Sequence, residues 1–105
     1  MILRIWHGYT TPENADPYEQ LLKTRIFPHI AEKKVPGYRQ IQLLKRPLGN
    51  EVEFITVMTF ESLNDVIAFA GADYETAFVL PEADALLHRY DAKSQHYQLS
   101  ESLTY

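Results

Sequence analysis

The run Glu51–Phe60 is apolar on both sides of its alternation, and no other feature constrains the fold of this chain as strongly. In an extended strand Val52, Phe54, Thr56, Met58 and Phe60 share one face, while Glu53, Ile55, Val57 and Thr59 share the other. A strand of this kind needs cover on both faces. Its natural partner is the run Arg39–Arg46, joined to it through Pro47-Leu48-Gly49-Asn50, where Pro47 fixes φ and Gly49 tolerates a positive one. Each side of this hairpin carries one further strand and one helical region within 105 residues. Strand-helix-strand-strand-helix-strand is the order of an α+β, ferredoxin-like βαββαβ sandwich, a four-stranded antiparallel sheet with helices on one face. Right-handed crossovers put both helices on the same side. The opposite apolar face is then bare, and a second copy packing sheet to sheet is its expected cover.

The remaining elements follow from local signals. Ile2–Tyr9 is rich in β-branched and aromatic residues and reads as the first strand. Asp16, Pro17 and Glu19 supply helix-entry signals, and Tyr18, Leu21, Leu22, Ile26 and Ile30 recur at helical spacing. Pro28 is expected to kink this helix rather than end it, and Val35-Pro36-Gly37 stops it. Ser62 with Asp65 opens a second helix that closes at Gly71. Asp73 is expected to cap a short helical turn holding Tyr74, Ala77 and Phe78. Pro81 then starts a helical stretch with Ala83, Leu86, Leu87 and Tyr90 inward, and Ser94–Leu99 is the last strand.

Bulk composition narrows the function. The length suits one domain spanning 1–105, and 46% apolar with 23% charged residues is an ordinary globular balance. A net charge of −4 with scattered basic residues gives no phosphate-backbone footprint, so nucleic acid is not an expected partner. With no cysteine there is no disulfide, thiolate metal site or cysteine nucleophile. The start lacks a leader pattern and no apolar run approaches the ~20 residues of a bilayer span, so a cytoplasmic protein without membrane contact is expected.

The element order, the Met1-Ile2-Leu3-Arg4-Ile5 start, Val35-Pro36-Gly37-Tyr38 before the second strand, and Glu53-Phe54-Ile55-Thr56-Val57 continuing into Phe60-Glu61-Ser62-Leu63 resemble the dimeric α/β-barrel superfamily. Within it the chain is most similar to the antibiotic biosynthesis monooxygenase (ABM) branch, over nearly its whole length. The resemblance implies two ferredoxin-like subunits forming a barrel, each with a cleft between sheet and helices. Some members of that family oxygenate aromatic polyketides without metal or flavin, and others open haem. The haem-degrading members use an asparagine on the first strand, a tryptophan on the helix after the third, and a histidine slightly beyond. Here the first strand offers His7, the only tryptophan is Trp6, and Phe69–Phe78 contains neither residue. Haem chemistry is therefore not expected, and no cofactor is assigned.

Candidate site residues follow. His7 shares a face with Leu3, Ile5 and Tyr9; if that face meets the helices, His7 is a general base near neutral pKa. The alternative is a histidine hydrogen-bonded in the core or dimer seam. His96, on the strand expected beside the first, is the second candidate; with His7 it suggests a metal pair, but a third ligand is missing and no metal is assigned. Tyr38, Tyr74 and Tyr97 are candidates to donate to a phenolate or quinone oxygen, and Arg39 to stabilise the anion. Phe69 and Phe78 complete the expected substrate-binding set, although such aromatics equally serve as core filling.

The sequence thus points to a small homodimer whose cleft binds an apolar or aromatic organic molecule. If catalytic, it is a cofactor-independent monooxygenase with His7 as base and Tyr38 or Tyr74 orienting the ring. The competing reading is a non-catalytic ligand-binding or stress-response module of the same fold. A cleft of ~300 Å³ or more lined by His7 would favour the enzyme.

Overall fold

A computed structural model describes residues 1–105. The chain runs β1 (Ile2–Thr10), α1 (Pro12–Leu21), a π-helical turn (Leu22–Ile26), α2 (Phe27–Glu32), β2 (Tyr38–Pro47), β3 (Val52–Phe60), α3 (Leu63–Ala70), α4 (Pro81–Asp84), β4 (Leu87–Tyr90) and β5 (Gln95–Gln98). The sheet order is β2-β3-β1-β4, with β5 also paired to β1. All pairings are antiparallel. β5 covers Ile2–Ile5 of β1 and β4 covers Gly8–Thr10, so the outermost position is shared by two short strands. The sheet is therefore four strands wide, as the element order requires, with its last strand broken in two.

Several boundaries differ from the sequence expectation, each for a local reason. The long helix begins earlier, at Pro12, because the Thr11 side chain accepts from the Asn14 amide. Pro17 therefore lies inside α1, where its missing donor is tolerated on the exposed side. The helix passes through Pro28 without ending, as its apolar stripe suggested. The Phe27 amide bonds the Leu22 carbonyl five residues back, so the widened π turn takes up the disruption. Ser62 caps α3 as expected, accepting from the Asp65 amide, and Gly71 ends that helix at φ 91°.

The stretch after Gly71 departs furthest. Asp73 binds the Thr76 amide and hydroxyl, but the result is a turn followed by extended chain, not a helix. That chain is pinned to the β4–β5 connection by Ala77 N–H donating to Ala92 O at 2.9 Å and Ser94 N–H donating to Glu75 O at 2.7 Å. The helix expected from Pro81 to Tyr90 ends at Asp84. Leu86, Leu87 and Tyr90 fit helical spacing, but the unpaired edge of β1 captures Leu87–Tyr90 as a strand, and tertiary pairing overrides local pattern.

The helix-facing side of the sheet carries Val52, Phe54, Thr56, Met58 and Phe60 from β3 and, by register, Arg4, Trp6, Gly8 and Thr10 from β1. Two core clusters form on it. One gathers Tyr18, Leu22, Phe54, Leu87 and neighbours; the other gathers Met58, Phe60 and Val66. Tyr18 meets Phe54 edge to face at 5.0 Å, a favoured aromatic geometry. Across the sheet, Leu3, Ile5, His7 and Tyr9 of β1 face outward with Glu53, Ile55, Val57 and Thr59 of β3. Nothing in the monomer covers that side.

Candidate functional site

Between the two core clusters the sheet presents a hollow. Thr56 sits there between the larger Phe54 and Met58, opposite Trp6 in the register. The space above it is a cleft of about 140 Å³, with thirteen of its sixteen lining residues hydrophobic. Trp6, Thr56 and Met58 form its floor; Tyr18, Leu22 and Phe27 form the helical wall; Phe69 and the chain from Ala77 to Leu80 complete the rim. Gly8 holds Trp6 in place. A Cβ at position 8 would lie 2.9 Å from the Trp6 ring and 3.0 Å from Leu87, so only glycine lets the indole lie over β1. Trp6 Nε1–H donates to the Asp91 carbonyl at 2.8 Å, and its ring packs 5.7 Å from Tyr90.

The one charged group in this cleft is Arg4. Its residue is only 8% exposed, and its Nη1 donates to the Tyr74 carbonyl and lies 2.9 Å from His96 Nε2. No carboxylate pairs with it. The Phe69 ring lies 5.8 Å from the guanidinium carbon and offsets part of the charge. Burial lowers the guanidinium from its ordinary value, yet arginine stays charged in proteins. Burial, with the Arg4 charge second, pushes His96 below its ordinary value. A neutral His96 accepts from Arg4 at Nε2 and carries its proton at Nδ1. Burial raises the Tyr18 phenol strongly, so it remains protonated at the cleft wall.

The predicted site residues divide by face. Phe69 and Phe78 line the cleft, Phe78 at its mouth with 85% exposure. Tyr74 and His96 stand directly behind Arg4, their rings edge to face at 5.1 Å. Tyr38 does not reach the cleft; it packs on Phe60 at 5.4 Å in the second core cluster. Arg39 is exposed and paired with Glu61. Tyr97 pairs with Leu3 on the outward face and is 54% exposed.

His7 does not face the cleft. It shares the outward face with Ile55, its Nδ1 3.2 Å from Glu53 Oε2, which also accepts from the Tyr9 hydroxyl at 3.1 Å. The His7 bond, then that of Tyr9, holds the Glu53 carboxyl below its usual range. The condition for His7 as a cleft base is thus not met: Arg4, Trp6 and Gly8 turn inward. The metal pair also fails geometrically, since His96 pairs with the inward Arg4 and lies across the sheet from His7. Arg4 itself was missed as a site residue. Its signal was a charged residue alternating with Trp6 and Gly8 inside a strand otherwise suited to burial.

No protein-family model matches the sequence, and comparison with curated proteins finds no relative. Solved structures do match, over nearly the whole chain. A Bacillus cereus protein provisionally classed as an antibiotic biosynthesis monooxygenase aligns with TM-score 0.67 at 10% identity, covering 99% of this chain and 97% of that one. A Mycobacterium tuberculosis haem degrader, solved with two haems in its active site, aligns with TM-score 0.61 at 20% identity over 99% and 100%. A Streptomyces coelicolor monooxygenase in complex with nanaomycin D aligns with TM-score 0.63 at 14% identity over 98% and 90%. The chain therefore has the ferredoxin-like α+β fold of these ABM-type structures. No helix in it is long and apolar enough to cross a membrane.

Proposed function

We propose that this protein binds an apolar or aromatic organic molecule bearing negative charge, in the cleft between sheet and helices. The observation that carries this is Arg4. Arg4 is 8% exposed and has no carboxylate partner, and its nitrogens outside the two protein contacts are not sealed from solvent, so an anion entering the cleft reaches them. Its Nη1 takes both protein contacts, leaving Nε and Nη2 without a hydrogen-bond partner in the protein. The surrounding walls are almost entirely apolar, which suits a ring and strengthens the electrostatic attraction.

The protein acts as a homodimer in this reading. Ile5, Ile55 and Val57 lie on the bare outward face, with Leu44 and Tyr97 exposed beside them, and this apolar surface is the supporting observation. Haem, which one fold neighbour binds, does not suit the cleft. No histidine lines it, its volume is small, and His96 Nε2 is engaged with Arg4.

Cofactor-independent oxygenation is the catalytic extension of the proposal. Arg4 would favour the deprotonated form of a bound phenol or enol, and that anion would deliver electrons to dioxygen. The second reading, a non-catalytic binding module, is favoured by one specific observation: the cleft contains no histidine to serve as base. Trp6 is the only tryptophan and lies on the cleft floor, so its fluorescence reports occupancy. Titration with aromatic anions should change that emission saturably. If none perturbs it, ligand binding in the cleft is wrong. Dioxygen consumption with a quinol that does bind separates the enzyme from the module.

A further inference from the structure

We infer that the ligand is a single-ring aromatic carboxylate, and that porphyrins and fused polycyclic acids are excluded by size. This rests on the reading of the cleft as a ligand site and narrows its substrate class. The volume sets the first limit. The cleft opens to solvent at Phe78, and its volume of about 140 Å³ is close to the ~150 Å³ of an engineered apolar cavity that takes benzene.

The walls set the second. Trp6, Thr56 and Met58 stand on the two central strands, whose pairing runs unbroken from Ile2–Phe60 to Thr10–Val52. Tyr18 and Leu22 are 1% and 5% exposed and packed in the core, so the helical wall does not retreat freely. The segment before α4 is the one irregular wall, and its first part, Glu75–Ala77, is tied down. Ala77 binds Ala92, Ser94 binds Glu75, and Thr76 bridges to Lys93. Widening the cleft along the sheet for a second fused ring breaks those bonds or displaces the buried Tyr18, and the exposed Phe78 rim is the one wall free of such ties.

The polar groups set the third. Arg4 offers Nε and Nη2, adjacent donors of a planar fork that matches the two oxygens of a carboxylate. A phenolate, with one oxygen, uses that fork less fully. Thr56 and Ser94 are the other small polar residues on the lining, and Ser94 is buried. A ring lying over Thr56 between Trp6 and Leu22, with its carboxylate on Arg4, uses every charged group the cleft has.

The test is a calorimetric series on the full chain with benzoate, benzamide, phenolate-forming 4-nitrophenol, 2-naphthoate and anthracene-9-carboxylate. Trp6 emission is followed wherever the probe's own absorption allows. Benzoate should bind, with benzamide and 4-nitrophenol about tenfold or more weaker. 2-Naphthoate should lose a further factor of about ten relative to benzoate, and the three-ring acid should not bind. Leu22→Ala, which deepens the helical wall, should shift the ratio toward 2-naphthoate.

If benzoate and every larger acid leave both heat and Trp6 unchanged, the cleft-binding proposal itself fails. If the larger acids bind as tightly as benzoate and perturb Trp6, the ligand site stands and the size limit is overturned. If benzamide or 4-nitrophenol matches benzoate, the carboxylate assignment is overturned.

Discussion

Replacing Arg4 by methionine should leave the fold almost as stable while removing anion binding. Methionine keeps the apolar stem and removes the buried charge. Arg4 is 8% exposed and has no carboxylate partner, so the substitution relieves desolvation that elsewhere amounts to ~1–4 kcal/mol for buried ionic groups. Against this stand the two Nη1 contacts, to the Tyr74 carbonyl and to His96 Nε2. Leaving those acceptors unpaired costs ~1–3 kcal/mol each if both are dry. Two such acceptors cost ~2–6 kcal/mol against a gain of ~1–4, so the middle of the two ranges leaves a net loss of about 1–2 kcal/mol. For a chain of this size each kcal/mol moves Tm by ~4–8 °C. Losing a charge-assisted bond to a buried anion costs ~2–5 kcal/mol, a fall in benzoate affinity of roughly thirtyfold or more. Scanning calorimetry and titration on the same preparation give both numbers. Loss of more than about 4 kcal/mol of stability would make Arg4 a structural strut. Unchanged benzoate affinity in a folded variant would remove it from the site.

Further outcomes follow from the two faces of the sheet. Phe54→Ala should cost ~3–5 kcal/mol of stability, because Phe54 is 1% exposed in the core, measurable by urea denaturation. Ile55→Glu, one residue along on the outward face, should instead leave a folded monomer where light scattering on the parent protein gives a dimer; a monomeric parent would end the dimer proposal. Gly8→Ala should cost ~1–3 kcal/mol and shift Trp6 emission, since the new methyl meets the indole; an unchanged spectrum would place Trp6 elsewhere. His96 sits below its ordinary value of 6.5 through burial and then Arg4, so the unfolded chain binds its proton first as pH falls. Its contribution is full above pH 6.5 and is lost as pH falls through that value toward the lower folded one; His96→Gln should flatten this loss in melting curves taken between pH 7.5 and pH 5.

The fold was legible because its signals were redundant. Both alternating faces of β3, the turn at Pro47–Asn50 and the helical stripes all demand the same strand order. The site was less legible because the deciding information is parity. On β1 one set holds Leu3, Ile5 and His7 and the other Arg4, Trp6 and Gly8, and spacing alone does not say which meets the helices. Inward packing in fact selects the set containing Trp6, with Gly8 making room for its ring and Phe69 and His96 accommodating Arg4. The more apolar set lies on the bare face, so hydrophobicity alone does not fix the parity. His7 lies outward with that parity; His96 stands beside Arg4 because β5 pairs with β1, and Tyr74 reaches it from the turn after Gly71, where the sequence suggested a helical turn. The stretch Leu87–Tyr90 shows the same limit, since four residues carry helix or strand spacing equally and only the free edge of β1 decides.

The central claim is that the inward face, through Arg4, receives the ligand, and resonance assignment with a benzoate titration tests it most directly. The account predicts that Arg4 Nε–H and Trp6 Nε1–H shift together and saturate at one concentration, while His7 and Tyr97 on the outward face stay unmoved. Shifts confined to His7, Tyr9 and Tyr97, with Arg4 and Trp6 silent, would contradict it.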